Sequence, residues 1–124
     1  CDKPPCVQVC PVGATFKTSD GAVLVDQDRC MGCGYCVQSC PYAARFINPE
    51  VHVADKCTWC YHRVTKGQPP ACVASCPVGA RQFGEVTDGS PMHKFLLKNK
   101  ISVLKAELGT EPAVYYIGLS REVR

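Results

Sequence analysis

The sequence lacks most of the features by which an enzyme or a membrane-spanning protein is recognised. No apolar run is long enough to cross a bilayer, and neither a Ser/His/Asp arrangement nor paired carboxylates stand out. Leucine and isoleucine are few, and valine supplies most of the large aliphatic side chains. A hydrophobic core built from them would be thin unless another interaction crosslinks the chain.

A strong excess of charge of either sign is also missing. The formal net charge is +3, from 14 basic and 11 acidic residues. This sum counts the cysteines as neutral, and thiolates that bind metal would move the balance toward the acidic side. The charge therefore gives no reason to expect a nucleic-acid partner. The 124 residues suffice for one domain or two very small ones.

Cysteine, by contrast, is abundant, with 11 of the 124 residues. Such a density is typical of disulfide-rich secreted domains or of proteins that use thiolates as metal ligands. The cysteines form three groups, and every group ends in Cys-x3-Cys-Pro. The groups are Cys1-x4-Cys6-x3-Cys10-Pro11, Cys30-x2-Cys33-x2-Cys36-x3-Cys40-Pro41 and Cys57-x2-Cys60-x11-Cys72-x3-Cys76-Pro77.

The middle group has the spacing by which bacterial ferredoxins hold iron–sulfur clusters. Its first three cysteines surround one cluster, and the fourth binds the neighbouring cluster. Gly32 and Gly34 lie between ligands, where the backbone bends sharply and approaches inorganic sulfide. Pro41 has no N–H and a fixed φ, so it turns the chain away from the site.

Applying this crossing-over to all three groups predicts four [4Fe–4S] sites. Four cysteines complete site A, whereas the other three sites need further ligands from upstream. The assignments are Cys10, Cys30, Cys33 and Cys36 for site A; Cys1, Cys6 and Cys40 for site B; Cys57, Cys60 and Cys72 for site C; and Cys76 for site D. We expect the site A sulfurs to converge on one space and Cys40 to lie with Cys1 and Cys6.

Two other interpretations of the cysteines remain open. Zinc suits Cys-x2-Cys pairs, and a zinc-stapled binding module would use two such pairs. Disulfides alone would leave one of the 11 thiols unpaired. Because the sequence begins inside a cysteine motif, we expect it to be truncated at its N-terminus. A cysteine three positions before Cys1, a further four-cysteine motif and a targeting segment, such as a twin-arginine signal, are then expected upstream.

The pattern between the cysteines predicts an α+β fold. Residues 12–28 predict two short strands around a Ser19-Asp20-Gly21 turn, a helical turn is expected at 37–39 and a return strand at 43–47. The third group is expected to repeat this outline, with residues 61–71 inserted. We predict a ferredoxin-type module over residues 1–49, the last cysteine motif over 50–84 and an extension over 85–124.

The extension contains no cysteine, and we expect it to serve packing and partner contact. Asp88 or Ser90 with Pro91 predicts the start of a helix that covers residues 92–100. Residues 113–119 predict a final strand, in which Tyr115 and Tyr116 face opposite sides.

The order of the three motifs resembles the iron–sulfur subunit of the dimethyl sulfoxide reductase family of molybdopterin oxidoreductases. The phrases that carry the resemblance are PPCVQVCPVGATF, DRCMGCGYCVQSCPYAARF, ADKCTWC and LGTEPAVYYIGL. They are most similar to electron-transfer subunits of tetrathionate, polysulfide or thiosulfate reductases. The resemblance implies a polyferredoxin with four [4Fe–4S] clusters in the full-length protein and no catalytic centre of its own.

The same resemblance implies partners and a location. Such a subunit lies between a molybdopterin catalytic subunit and a quinol-oxidising integral membrane subunit. It would be peripheral on the bacterial cytoplasmic membrane, on the periplasmic face, without a span of its own. An iron–sulfur subunit of a formate dehydrogenase or hydrogenase complex has the same clusters and is the alternative.

Several charged and aromatic residues lie close to the ligands in sequence. A cation there would raise a cluster potential or dock a partner, but the prediction for each is an ordinary solvated charge: Arg45, Lys56, Arg63, Lys66 and Arg81. Trp59, between Cys57 and Cys60, suits shielding of a cluster and plain packing equally. His52, His62 and His93 have no ligand spacing, so core or surface roles are expected.

Overall fold

The computed structural model describes residues 1–120 and consists of short elements only. No helix within this range is long and apolar enough to cross a membrane. Short helices alternate with small antiparallel sheets, so the predicted α+β class is confirmed. In chain order the elements are α1 (Pro5–Gln8), β1 (Thr15–Lys17), β2 (Val23–Val25), α2 (Tyr35–Gln38), β3 (Arg45–Ile47), β4 (Ala54–Lys56), α3 (Tyr61–Val64), α4 (Ala71–Ala74), α5 (Pro91–Lys98), β5 (Ile101–Ser102), a 3-10 turn (Ala106–Leu108) and β6 (Tyr116–Ile117).

Each copy of Cys-x3-Cys-Pro begins with one turn of α-helix. Helices α1, α2 and α4 place Cys6, Cys36 and Cys72 at their second position. The turn ends before the Cys-Pro pair, because proline has no N–H to continue the helix and disfavours helical geometry in the residue before it. Sequence spacing thus gives all three copies the same local geometry at their cysteines.

The first two copies continue into β-hairpins. Strands β1 and β2 pair with Phe16 opposite Leu24, and β3 and β4 pair with Phe46 opposite Asp55. Gly21 closes the first turn with a φ of +89°, which glycine adopts without strain. The predicted hairpin around residues 19–21 and the predicted strand near 43–47 are therefore present. The second hairpin runs across the boundary that the sequence analysis places after residue 49.

The two hairpins and two helices pack around small side chains. Cys6, Cys36 and Ala54 form the buried cluster, and valines of α1, β2 and α2 pack against it with Cys30. Cys6 is 8% exposed and Cys36 is 7% exposed. The centre of this packed unit, over residues 1–56, is therefore made largely of thiols rather than of large aliphatic side chains.

The third copy departs from this outline after its helix. The insertion contains α3, whose Arg63 Nε donates to the Pro69 carbonyl at 2.9 Å. Helix α4 has no buried residue, and residues 77–90 form no strand. The expectation that the third group repeats the whole outline is wrong for its hairpin. No strand is present there to cover the cysteines on that side.

The extension folds back onto the start of the chain. Helix α5 begins after Ser90, whose hydroxyl accepts from the His93 N–H at 3.1 Å, as Pro91 led us to expect. It ends two residues before the predicted limit, and the final strand is only Tyr116–Ile117. The Asp2 N–H donates to the Glu111 carbonyl at 2.9 Å, so the extension is bonded to the first residues of the chain.

Candidate iron–sulfur cluster sites

The three thiols assigned to site B line one cavity. Cys1, Cys6 and Cys40 surround a space of about 290 Å³. Helix α1 positions Cys6, and Cys40 lies just beyond the end of α2, so the two ligands come from different copies of the motif. Cys1 is held beside them by the backbone bond between Asp2 and Glu111.

The extension supplies the apolar side of the same cavity. Its lining there comes from the segment after α5 and the final strand, namely Leu104, Pro112, Ala113, Val114 and Tyr116. Tyr42 also lines the cavity, and its hydroxyl forms a hydrogen bond with the buried Thr110. These contacts exclude water from one side of the thiols, a role that the sequence analysis describes only as packing.

The four thiols assigned to site A lie at different depths. Cys36 is buried and Cys30 is half-buried in the same core, whereas Cys33 is exposed and Cys10 is half-buried. The Ala54 N–H donates to Cys30 Sγ at 3.3 Å. A bond of this kind stabilises the thiolate form, which is the form that binds iron.

Gly32 lies between two of these thiols and has no room for a side chain. A Cβ at this position would lie 2.3 Å from the His52 carbonyl oxygen, and its φ is +71°. Gly34 has a φ of +75° and precedes the first residue of α2. The sharp bends expected at both glycines are present, and at Gly32 the close neighbour is the β3–β4 turn.

Backbone N–H groups surround the last cysteine of the first and third copies. Burial raises the pKa of the Cys10 thiol, but the N–H groups of the next turn lower it, so the net pKa lies below its ordinary value. The pKa of Cys76 is lowered chiefly by the N–H groups of Arg81 and Ala80. The Cys-Pro-Val-Gly-Ala stretch thus forms a cradle of donors around a thiolate in both copies.

Two of the three thiols assigned to site C line a second cavity. Cys57 and Cys72 border a space of about 640 Å³ together with Trp59 and Phe83. The Trp59 N–H lies 3.4 Å from Cys57 Sγ, and the Ala71 N–H lies 3.5 Å from Cys60 Sγ. The rings of Trp59 and Phe83 meet edge to face at 5.5 Å, so this tryptophan packs at the rim of the site.

Sulfur donors and their N–H partners fit an iron–sulfur cluster. In residues 1–120, no three His, Cys, Asp or Glu side chains converge closely enough to hold a single metal ion. A zinc site gathers its ligands around one ion, whereas the thiolates of a four-iron cluster each bind a different iron and stand farther apart. Cys1, Cys6 and Cys40 around a cavity have the wider arrangement.

Arg45 belongs to the site B cavity, although we expected a solvated charge. It is 5% exposed, and its Nη1 donates to Thr15 Oγ1 at 3.1 Å. Nη2 is buried and forms no hydrogen bond with any described residue. Thr15 and Arg45 both stand five positions after the last cysteine of their copy, so aligning the repeats would have pointed to their pairing.

Lys56 also differs from a simple surface charge. It lines the same cavity and donates to the Cys57 carbonyl at 2.8 Å. Burial and the nearby Arg45 charge lower the pKa of Lys56, although the neighbouring thiols oppose this shift. Lys66 and Arg81 are exposed as expected, and Arg63 closes the inserted loop.

The comparison with protein-family models identifies one family. The model described as a 4Fe-4S dicluster domain matches residues 1–86. This range includes all eleven cysteines, the two hairpins and α1 to α4. The match therefore covers all the candidate sites and leaves out most of the extension.

Curated relatives match the extension as well. An iron–sulfur-type subunit of the tetrathionate reductase of Salmonella typhimurium is 56% identical over 122 residues, which are 96% of this chain. The thiosulfate reductase electron transfer subunit of Salmonella typhi is 48% identical over 71% of the chain, and one polypeptide of the polysulfide reductase of Wolinella succinogenes is 40% identical over 94%. The protein spans 49%, 46% and 62% of the lengths of these relatives.

Proposed function

This chain is a member of the 4Fe-4S dicluster domain family, and from this premise we propose that it is part of an electron-transfer subunit of a reductase complex. The resemblance to electron-transfer subunits of tetrathionate, thiosulfate and polysulfide reductases is confirmed. Relatives of this kind transfer electrons, and the catalytic reaction belongs to another subunit. We propose the same division of labour for the full-length protein.

The observation that carries the proposal is the cavity shared by Cys1, Cys6 and Cys40. Ligands from two copies of the motif face one space, which is the crossing-over that a two-cluster ferredoxin module requires. We propose that they bind one [4Fe–4S] cluster with a fourth ligand from outside these residues. On the same principle we propose Cys10, Cys30, Cys33 and Cys36 for site A, Cys57, Cys60 and Cys72 for site C, and Cys76 for site D.

The residues around the thiols have three tasks in this proposal. A bound [4Fe–4S] cluster supplies reversible one-electron chemistry. The cysteines bind it as thiolates, and N–H groups such as those of Ala54 and Trp59 stabilise the sulfur charge. The extension keeps water from one side of site B through residues such as Leu104 and Val114.

The wider setting also belongs to the proposal. We place the full-length protein, a ferredoxin-like polyferredoxin with four clusters, between a quinol-oxidising membrane subunit and a molybdopterin catalytic subunit. The names of the tetrathionate, thiosulfate and polysulfide reductase relatives support a sulfur compound as the final acceptor. A peripheral position on the periplasmic face of the cytoplasmic membrane follows from this arrangement.

Anaerobic purification of the full-length protein with its partner subunits tests this function. We expect about four iron and four sulfide for each completed cluster, with paramagnetic signals that appear on reduction. Addition of a reduced quinol analogue to the complex should generate the same signals, and a sulfur-compound acceptor should remove them. A colourless protein with stoichiometric zinc, or signals that never respond to quinol, would contradict the proposal.

A further inference from the structure

Arg45 is a buried charge to which the proposed function gives no role. Its side chain lines the site B cavity beside Cys6 and Cys40. One of its nitrogens donates to Thr15, and the other is buried without a hydrogen-bond partner among the described residues. Because an arginine does not lose its proton inside a protein, the guanidinium stays a cation with one donor unsatisfied.

No carboxylate in the described part of the chain forms an ion pair with this guanidinium. The carboxylates that do pair, such as Asp2 with Lys17 and Asp26 with Arg29, lie with other cations. An unpaired buried cation is strongly unfavourable, so the fold has to bring an anion to it. The acidic groups that share its cavity are the thiols of Cys1, Cys6 and Cys40.

A second cation lies next to Arg45 in the same cavity wall. Lys56 is its register partner across the β3–β4 hairpin and also lines the cavity. Two positive side chains therefore share a space with three thiols. We call Arg45 and Lys56 the cationic wall of site B. At the equivalent position of the third copy, Arg81 is exposed, and solvent screens its charge.

We propose that the cationic wall, and above all the buried Arg45, raises the reduction potential of the cluster at site B. This inference rests on the proposed function, because it requires a cluster at that site. An iron–sulfur core held by thiolates is anionic and becomes more negative by one unit on reduction. A fixed cation beside it stabilises the reduced form more than the oxidised form, most strongly where water is excluded.

Redox titration of the full-length protein by electron paramagnetic resonance tests the role of Arg45. The site B signal is the one that Cys40→Ser removes or alters. In Arg45→Met we expect the reduction equilibrium of that signal to shift at least tenfold toward the oxidised form, which for one electron is about 59 mV. Arg45→Lys keeps the charge and should restore most of the shift.

Arg81→Met is the matched control, because it removes the equivalent arginine of the third copy. It should leave the potential of the site B signal unchanged. An unaltered site B potential in Arg45→Met, with full iron content, overturns this inference and leaves the proposed function intact. A wild-type protein without iron and sulfide overturns the proposed function itself.

Lys56→Gln decides the matter if Arg45→Met fails to assemble the site B cluster. This lysine is only half-buried, so its replacement is less disruptive to the fold. We then expect a smaller fall in the potential of the same signal, with the other signals unmoved. A site B potential that is unchanged in this variant overturns the inference.

Discussion

The first two copies of the cysteine motif and the third copy share a local geometry but not an environment. Cys6 and Cys36 sit in helical turns that pack on each other and on two hairpins, whereas Cys72 sits in an equivalent turn that is exposed. The residues after Cys76 form no hairpin within the described chain. The motif therefore specifies the turn that presents a ligand, and a second copy with its hairpin is needed to bury it.

The largest expected effect comes from serine at equivalent cysteines of the two regions. Cys36→Ser and Cys72→Ser should each reduce the iron content by about four atoms, if one ligand is essential to its cluster. Only Cys36→Ser also places a hydroxyl in a packed core, at a cost of about 1–3 kcal/mol if it finds no partner. Iron and sulfide analysis with limited proteolysis of residues 1–56 measures both effects. Equal protease sensitivity in the two variants would contradict the difference in packing.

The next effect concerns glycine positions inside the packed unit. Gly32→Ala brings a Cβ against the His52 carbonyl in addition to a left-handed φ, so we expect a loss of at least about 2 kcal/mol of unfolding free energy. Gly13→Ala is the control, because Gly13 also has a positive φ but open space around it, and its cost should be only about 1 kcal/mol. Urea midpoints of the loaded protein compare the two. Equal losses would show that the close approach to His52 is unimportant.

Alanine positions provide a comparison that leaves the cysteines untouched. Ala14 and Ala80 both stand four residues after the last cysteine of their copy, but Ala14 is 1% exposed and Ala80 is exposed. Ala14→Leu should destabilise the protein by about 1–3 kcal/mol through overpacking. Ala80→Leu should change the stability by less than about 0.5 kcal/mol. Thermal or urea unfolding measures both variants, and a matching loss in Ala80→Leu would indicate that the third copy is packed as well.

The smallest effect is expected at Ala43, which has a φ of +50° where the other copies have Gly13 and Gly79. Ala43→Gly removes a left-handed strain of about 1–2 kcal/mol and adds a flexibility cost of about 0.5–1 kcal/mol. We therefore expect a net gain of about 0.5 kcal/mol in unfolding free energy, measured from urea midpoints. Ala44→Gly, one residue later and without a positive φ, should instead lose stability. A loss in Ala43→Gly would mean that alanine is not strained there.

The features that the sequence predicted correctly depend on local spacing. The helical turns before each Cys-Pro, the hairpin around Gly21 and the helix after Ser90 are specified by residues within a few positions of each other. The features that it missed depend on distant partners. The pairing of Arg45 with Thr15 joins residues 30 positions apart, and the missing third hairpin reflects the lack of a packing partner.

The sequence by itself determined the cofactor class and the family, because the spacing of thiols within a short loop sets which metal centre the loop can hold. It also determined the bends at Gly32 and Gly34, where the backbone needs a positive φ. Only the tertiary structure decided that Cys1, Cys6 and Cys40 share one cavity and that Arg45 is buried in its wall. These arrangements join segments far apart in the chain, and packing rather than local conformation selects them.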